Sequence, residues 1–144
     1  RPRIMASILK VDDLRGNTAA GNITITSEGG SATMQLQQGV AKVWANFEQI
    51  GTHELRDSVN VSSLTDNGTG RTEPLSFTNN MGNTTFAGTM FQSGATGTNM
   101  TDFNNVFMGG LGSKTTSGVG LGAHNNAGFL DVEMFDVVIQ GDLA

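Results

Sequence analysis

The feature that most constrains this chain is a pair of alternating segments around a turn, in the stretch DSVNVSSLTDNGTGRTEPLSFTNNM. Before the turn, Val59 and Val61 alternate with polar residues, as is typical of a strand with one buried face. After it, Leu75 and Phe77 repeat the pattern. Between the two runs, Asn67–Gly68 is a strong signal for a tight turn. The stretch therefore predicts a β-hairpin, and no reactive group stands out on it.

The composition agrees with short strands joined by many turns. Gly, Thr, Asn and Ser supply 60 of the 144 residues, and these types favour turns and, for Thr, strands. Charged residues make up only 15%, which argues against ordinary disorder. The fold class expected is all-β, an antiparallel β-sandwich that is jelly-roll-like, with an extended N-terminal arm.

The charge and cysteine content exclude several kinds of site. The net charge is −5, and the eight Lys and Arg form no basic patch, so nucleic-acid binding is not expected. The chain has no Cys, so it has no disulfide, thiolate metal site or thiol nucleophile. Its longest apolar runs fall far below the roughly 18 residues that a bilayer-spanning helix needs, so no membrane insertion is expected.

The first third of the chain holds one ambiguous segment. Residues 5–14 read as a short strand or extended arm, and NITIT predicts a strand with Ile23 and Ile25 on one face. The segment 34–50 fits a helix or a strand. We favour a strand over 40–48, preceded by one helical turn, because a Gly inside a helix costs roughly 1 kcal/mol. That strand directs three side chains one way and Trp44 the other; the three are Val43, Ala45 and Phe47.

The last third is rich in glycine and ends in a strongly apolar stretch. A strand is predicted over TTFAGTMFQ, a loop over 93–105, and a short strand followed by a long glycine-rich excursion over 106–128. The final stretch FLDVEMFDVVIQ has one inward set up to Met134 and another from Phe135 onward. A β-bulge at this junction would produce such a switch of register.

Few residues are arranged for chemistry. Asp131 and Glu133 would share a strand face, where a carboxylate pair can hydrolyse glycosides, but we favour their being a solvated face of the final strand. His53 could form a Ser–His–Asp set with Asp57, but no nucleophile-elbow sequence occurs, and both His53 and His124 are expected to be exposed or structural. TDNGTG has part of a calcium-loop pattern and lacks its final acid. We therefore predict no catalytic, cofactor or metal site.

Five stretches, taken in order, carry a family resemblance. ASILKVDDLRGNTAAGNITIT, LQQGVAKVWANFEQIGT, RDSVNVSSLTDNGTGR, SFTNNM and VVIQGDLA resemble small tail-fibre-like virion structural proteins of marine tailed bacteriophages. The resemblance covers residues 6–81 and 129–144, and residues 82–128 lie outside it. It implies a β-rich protein displayed on the virus particle, not an enzyme, in which an N-terminal segment attaches to the particle.

The resemblance also implies an organisation and a set of partners. Residues 1–38 would form the attachment arm and 39–144 the displayed domain. The expected partners are further copies of the chain, in a symmetric and most simply trimeric assembly, other virion proteins, and a receptor on the host surface. The residues expected to make oligomer or attachment contacts are Ile8, Leu9, Val11, Leu14, Ile23, Ile25, Trp44 and Phe47. For Trp44 and Phe47 the sequence leaves core packing and subunit contact open.

Two alternatives remain at this stage. The chain could instead be a capsid decoration or cement protein, or a head fibre, with its N-terminal arm along the capsid lattice. A polysaccharide depolymerase using Asp131, Glu133 or Asp136 is the enzymatic alternative, but the chain is short for the long catalytic β-helix this activity normally uses.

Overall fold

The structure is a computed structural model that describes residues 9–19, 22–27, 29–93, 108–125 and 128–144. Strands account for 53% of the described residues and helix for 4%, with antiparallel pairing, which confirms the prediction of an all-β fold. No helix in these ranges is long and apolar enough to cross a membrane.

The chain divides into two units, Arg1–Gln37 and Gln38–Ala144. The boundary predicted from the sequence falls one residue later, and the attachment role of the first unit stays a prediction. Within the first unit, strands β1 (Thr24–Thr26) and β2 (Thr33–Gln35) form an antiparallel hairpin. Gly30 supplies the positive φ, 72°, that the turn between them requires.

Among the described residues that follow there are a short helix and nine strands. They are α1 (Leu36–Gly39), β3 (Val43–Glu48), β4 (Glu54–Val59), β5 (Val61–Asp66), β6 (Arg71–Phe77), β7 (Ala87–Ser93), β8 (Met108–Thr115), β9 (Gly118–Asn125), β10 (Gly128–Phe129) and β11 (Met134–Gln140). One sheet has the order β4-β3-β11-β7. The other has the order β10-β9-β6-β5, with β8 also paired to β9. The predicted single helical turn before a strand is confirmed at α1 and β3.

The inward side chains of both sheets form one hydrophobic cluster. In β3, burial alternates residue by residue, with Phe47 inward and Trp44 half-buried on the opposite face, as the sequence predicted. The buried members are Val43, Ala45, Phe47, Leu75, Phe77, Met81, Phe86, Val119, Leu121, Ala123, Val132, Phe135, Val137 and Ile139. The jelly-roll-like connectivity stays a prediction.

The chain changes sheets at Asn60, between β4 and β5. Asn60 has φ 61°, a conformation that Asn tolerates better than most residues. Its side-chain Oδ1 accepts a hydrogen bond from the backbone N–H of Asn79 at 2.6 Å, and its Nδ2 donates to the Asn79 carbonyl at 3.0 Å. The predicted hairpin is therefore correct for β5 and β6, whereas Val59 belongs to the other sheet.

The glycine-rich excursion predicted for 106–128 is wrong in its described part, where β8 and β9 form an antiparallel hairpin. Val119, Leu121 and Ala123 point into the core, and the residues between them are Gly120 and Gly122. The strand pattern is present on one face only, because glycine leaves the other face without side chains. Predicted loop residues 94–105 lie outside the described residues.

The predicted bulge near Met134 is also wrong. β10 ends at Phe129 in one sheet and β11 begins at Met134 in the other. The four residues between them carry the chain across, so Leu130 and Val132 of the first inward set lie in this connection, and Met134 begins β11 together with the second set. Pro74 lies inside β6, where the register with both neighbouring strands shifts between Thr72 and Leu75. Such a shift accommodates the missing N–H of proline.

Candidate functional site

His53 belongs to a chain of polar side chains between the two sheets. Its imidazole is 3% exposed, and Nε2 lies 3.5 Å from Asp66 Oδ1. Nδ1 lies 3.1 Å from Thr72 Oγ1. The same hydroxyl accepts a hydrogen bond of 3.1 Å from Nε2 of Gln49, which follows β3. The chain thus links the residue after β3 to β6.

This order of carboxylate, imidazole and hydroxyl matches the order of a hydrolytic triad. Thr72 is fully buried, however, and its hydroxyl already accepts from Gln49. A substrate carbonyl has no route to that oxygen, so the arrangement is a structural link. The Asp57 partner considered from the sequence is wrong, since the Asp57 carboxylate accepts from the adjacent Ser58 N–H at 2.8 Å.

The carboxylates considered for glycoside hydrolysis do not share a strand face. Asp131 and Glu133 both lie between β10 and β11, outside any strand. The half-buried Asp131 accepts a hydrogen bond of 2.6 Å from the backbone N–H of Gly70, whereas Glu133 is exposed. Asp136 accepts one of 2.6 Å from Nδ2 of Asn46. The two aspartates therefore hold local structure together.

The calcium-like TDNGTG stretch is a turn. Asp66 Oδ1 accepts a hydrogen bond of 2.8 Å from the Gly68 N–H, which is the contact that an Asx-turn makes. Gly68 and Gly70 both have positive φ, 92° and 67°. In the part of the chain that the structure describes, no three His, Asp or Glu side chains are grouped to hold a metal ion.

A concave site lies on the face of β6, β8, β9 and β10 opposite to the core. We call it the glycine groove; its volume is about 280 Å³, and it is lined by Arg71, Glu73, Gly112, Gly120, Leu121, Gly122, His124 and Phe129. Register brings these residues together: Arg71 pairs with Gly122, and Phe129 pairs with His124. Gly110 pairs with Gly122 from the opposite edge of β9, so β8 completes the floor.

The walls of the glycine groove are one aromatic ring and two charged side chains. The Arg71 guanidinium lies over the Phe129 ring, 5.4 Å from its centroid, and the His124 ring meets Phe129 edge to face at 6.0 Å. Phe129 nevertheless remains 54% exposed. Glu73, two residues after Arg71, stands on the same face of β6.

Glycine leaves room for these side chains. A Cβ at Gly120 would lie 3.0 Å from the Glu73 carboxyl group, and one at Gly122 would lie 3.3 Å from Cε1 of Phe129. Because these glycines have no side chains, Glu73 and Phe129 can pack directly against the backbone of β9. The sequence analysis missed this site; the alternation of Gly118, Gly120 and Gly122 with buried residues is the signal that could have revealed it.

A second surface is the outer face of the four-stranded sheet. Trp44 pairs with Val59 on one side and Val138 on the other, which makes a row of apolar side chains across three strands. Val59 and Val138 are exposed, and Phe91 on β7 is 66% exposed. Trp44, a predicted contact residue, thus lies on an accessible apolar face. Phe47 does not, because it is fully buried in the core of its own chain.

The remaining predicted contact residues belong to the first unit. Ile8 lies outside the described residues. Leu9 is 76% exposed, and Val11, Leu14 and Ile25 are exposed as well, while Ile23 is half-buried. Each of the exposed residues presents an apolar side chain to solvent in a single chain.

Searches among protein families, curated proteins and solved structures find no match to this chain.

Proposed function

We propose that the chain is a structural protein of a bacteriophage virion, part of a tail fibre or another host-recognition appendage, which assembles as a symmetric oligomer, most simply a trimer. The observation that carries the proposal is the contrast between the two units. Residues 38–144 supply all the buried members of the hydrophobic cluster. The first unit exposes Leu9, Val11, Leu14, Ile25 and Met34.

So many exposed apolar side chains in one short segment favour its association with another protein surface. Burying one aliphatic side chain fully contributes about 1.5–3 kcal/mol, and clustered exposed ones mark interaction sites. A segment with two three-residue strands has little to bury within itself. Attachment to other virion proteins, or to copies of itself, would cover these groups. That is the role which the family resemblance assigns to the N-terminal segment.

The row Val59, Trp44 and Val138 supports contacts between copies. A flat sheet face is self-complementary in shape, and homo-oligomer interfaces are enriched in apolar and aromatic groups. We therefore assign Trp44 to a contact between displayed domains and the first unit to attachment. Phe47 is removed from both sets because it is buried.

Labelling of purified particles tests the location. An antibody against this chain, followed by negative-stain electron microscopy, should decorate the tail or its fibres. Label on the capsid shell at high copy number would instead indicate a decoration or cement protein, or a head fibre. Particles without any label would contradict both virion assignments.

Native mass spectrometry of the purified chain tests the assembly. The wild type should appear as a closed oligomer, and Trp44→Ser should shift it toward the monomer. Thr65→Ser, exposed on β5 in the other sheet, is a matched control that should keep the oligomer. A wild-type chain that stays monomeric at micromolar concentration would overturn the self-assembly part of the proposal.

A further inference from the structure

We infer that the glycine groove binds a neutral saccharide ring. The inference rests on the proposed function only for the source of that saccharide, a glycan on the host surface; binding itself follows from the groove. The argument uses its size, its charges and its exposed ring.

The size and floor of the groove suit one ring-shaped ligand. Its volume of about 280 Å³ is at the lower end of small-molecule sites. Gly112, Gly120 and Gly122 leave peptide planes as the floor, so a flat molecule can approach the backbone closely. An extended polymer or a large cofactor would exceed this space, whereas a single terminal sugar residue fits.

The charges of the groove favour a ligand without net charge. Arg71 offers only hydrogen-bond donors and Glu73 only acceptors, and the two stand two residues apart on one strand face. Among the described residues neither forms an ion pair. An anion would be attracted to Arg71 and repelled by Glu73, and a cation the reverse. A polyol satisfies both, because each hydroxyl group can donate and accept.

The exposed ring supplies the apolar contact. Phe129 is 54% exposed although it is one of the largest apolar side chains of the chain. The guanidinium 5.4 Å from its centroid is held in place by the ring, which lowers the entropy lost when Arg71 binds a ligand. The C–H face of a pyranose is apolar and its rim is polar, and this pairing matches an exposed ring beside hydrogen-bonding side chains.

A purely structural role explains the walls less well. Neither Phe129 nor Arg71 belongs to the hydrophobic cluster, and both are exposed. Glu73 makes no hydrogen bond to another described residue. These groups can therefore be changed with little effect on the core.

The test is titration of the full chain with D-glucose, D-galactose, D-mannose and their N-acetylated forms at millimolar concentrations, followed by NMR of backbone amides. At least one neutral sugar should shift the amides of Arg71, Gly120, Gly122 and Phe129. Glu73→Gln should weaken binding about tenfold, the typical effect of a hydrogen bond to a charged group. Raising the ionic strength should leave the affinity unchanged, because the ligand is uncharged.

A filling variant separates binding from folding. A Cβ at Gly112 meets nothing closer than 3.5 Å, so Gly112→Val places a side chain in the groove without a clash. It should abolish binding and keep the unfolding midpoint. Ser113→Val, exposed on the same strand and outside the groove lining, should bind as the wild type does.

Three results would overturn the inference. They are no amide shift with any of these sugars, binding that survives Gly112→Val, or tighter binding of glucuronate or glucosamine than of the neutral sugars. Particle labelling is independent of all three, so a protein located on the tail without sugar binding would refute the groove alone.

Discussion

Phe47 and Phe135 stack face to face across β3 and β11, with ring centroids 4.9 Å apart and an interplanar angle of 16°. They are directly paired in the register of the two strands, and both are fully buried. The pair lies at the centre of the four-stranded sheet. It therefore joins the two central strands of this sheet, β3 and β11, through their side chains.

Phe135→Ala should destabilise the protein by about 3–5 kcal/mol, because it removes a buried ring and leaves a cavity beside Phe47. Urea unfolding followed by circular dichroism measures the change. Phe91→Ala is the matched control; this ring is exposed on the outer face of β7, so its loss should cost under about 0.5 kcal/mol. Equal effects from the two variants would mean that the core is misassigned.

Gly70→Ala should be far more costly than Gly51→Ala. The two glycines have similar φ, 67° and 73°, so both substitutions carry the same backbone penalty, of about 1–2 kcal/mol. A Cβ at Gly70 would also lie 2.5 Å from the Ala123 carbonyl oxygen, whereas one at Gly51 meets nothing within 4 Å. Thermal unfolding of both variants separates the steric contribution from the backbone contribution. Similar midpoints would show that β6 and β9 do not approach this closely.

Thr72→Val should destabilise the protein by about 1–3 kcal/mol despite its conserved shape. The substitution removes the hydroxyl that contacts Gln49 and His53, and it leaves buried polar groups without a partner. Thr89→Val, an exposed site in β7, is the control and should have little effect. If Thr72→Val left the free energy of unfolding unchanged, the chain of polar side chains would not contribute to stability.

Deprotonation of Lys42 should increase the stability of the folded protein in alkaline solution. Burial lowers the pKa of Lys42 below its usual 10.5, and the Asp142 carboxylate opposes that shift. The folded state therefore releases this proton at lower pH than the unfolded state. The contribution of Lys42 to stability is least at neutral pH and grows as pH rises from the folded pKa to 10.5.

Urea unfolding of the wild type and of Lys42→Met across this window tests the sign. As pH increases, the free energy of unfolding should rise more in the wild type than in Lys42→Met. The burial of the charged amine would be contradicted if the free energy of unfolding changed equally with pH in both proteins. It would also be contradicted if this free energy fell with pH in the wild type alone.

Side-chain alternation made much of the fold predictable. In β3 the alternation of Val43 and Phe47 with Trp44 predicted the inward face correctly once a strand was preferred to a helix, because such an alternation has one arrangement that buries its apolar set. The β5–β6 turn was predictable from Asn67–Gly68, since positive φ is needed there. These features depend on neighbours within a few residues.

Other features depend on partners that are distant in sequence. The β8–β9 hairpin was missed because alternating glycines carry no polar signal for the outer face. The sequence paired His53 with Asp57, which is four residues away. In the structure its partners are Asp66 and Thr72, which lie on the β5–β6 hairpin. The glycine groove joins Arg71 to Phe129, and only the pairing of β6, β9 and β10 places them side by side.

The position of β11 between β3 and β7 has a consequence for how the protein is made. Strands of the two sheets are interleaved along the chain, and β11, which bridges β3 to β7, follows both of them in the sequence. Until β11 is made, β7 lacks a hydrogen-bonding neighbour in its own sheet, and the ring of Phe47 lacks its stacking partner Phe135. The four-stranded sheet therefore cannot close before residue 134 has been synthesised, and chains arrested before it should be degraded or bound by chaperones.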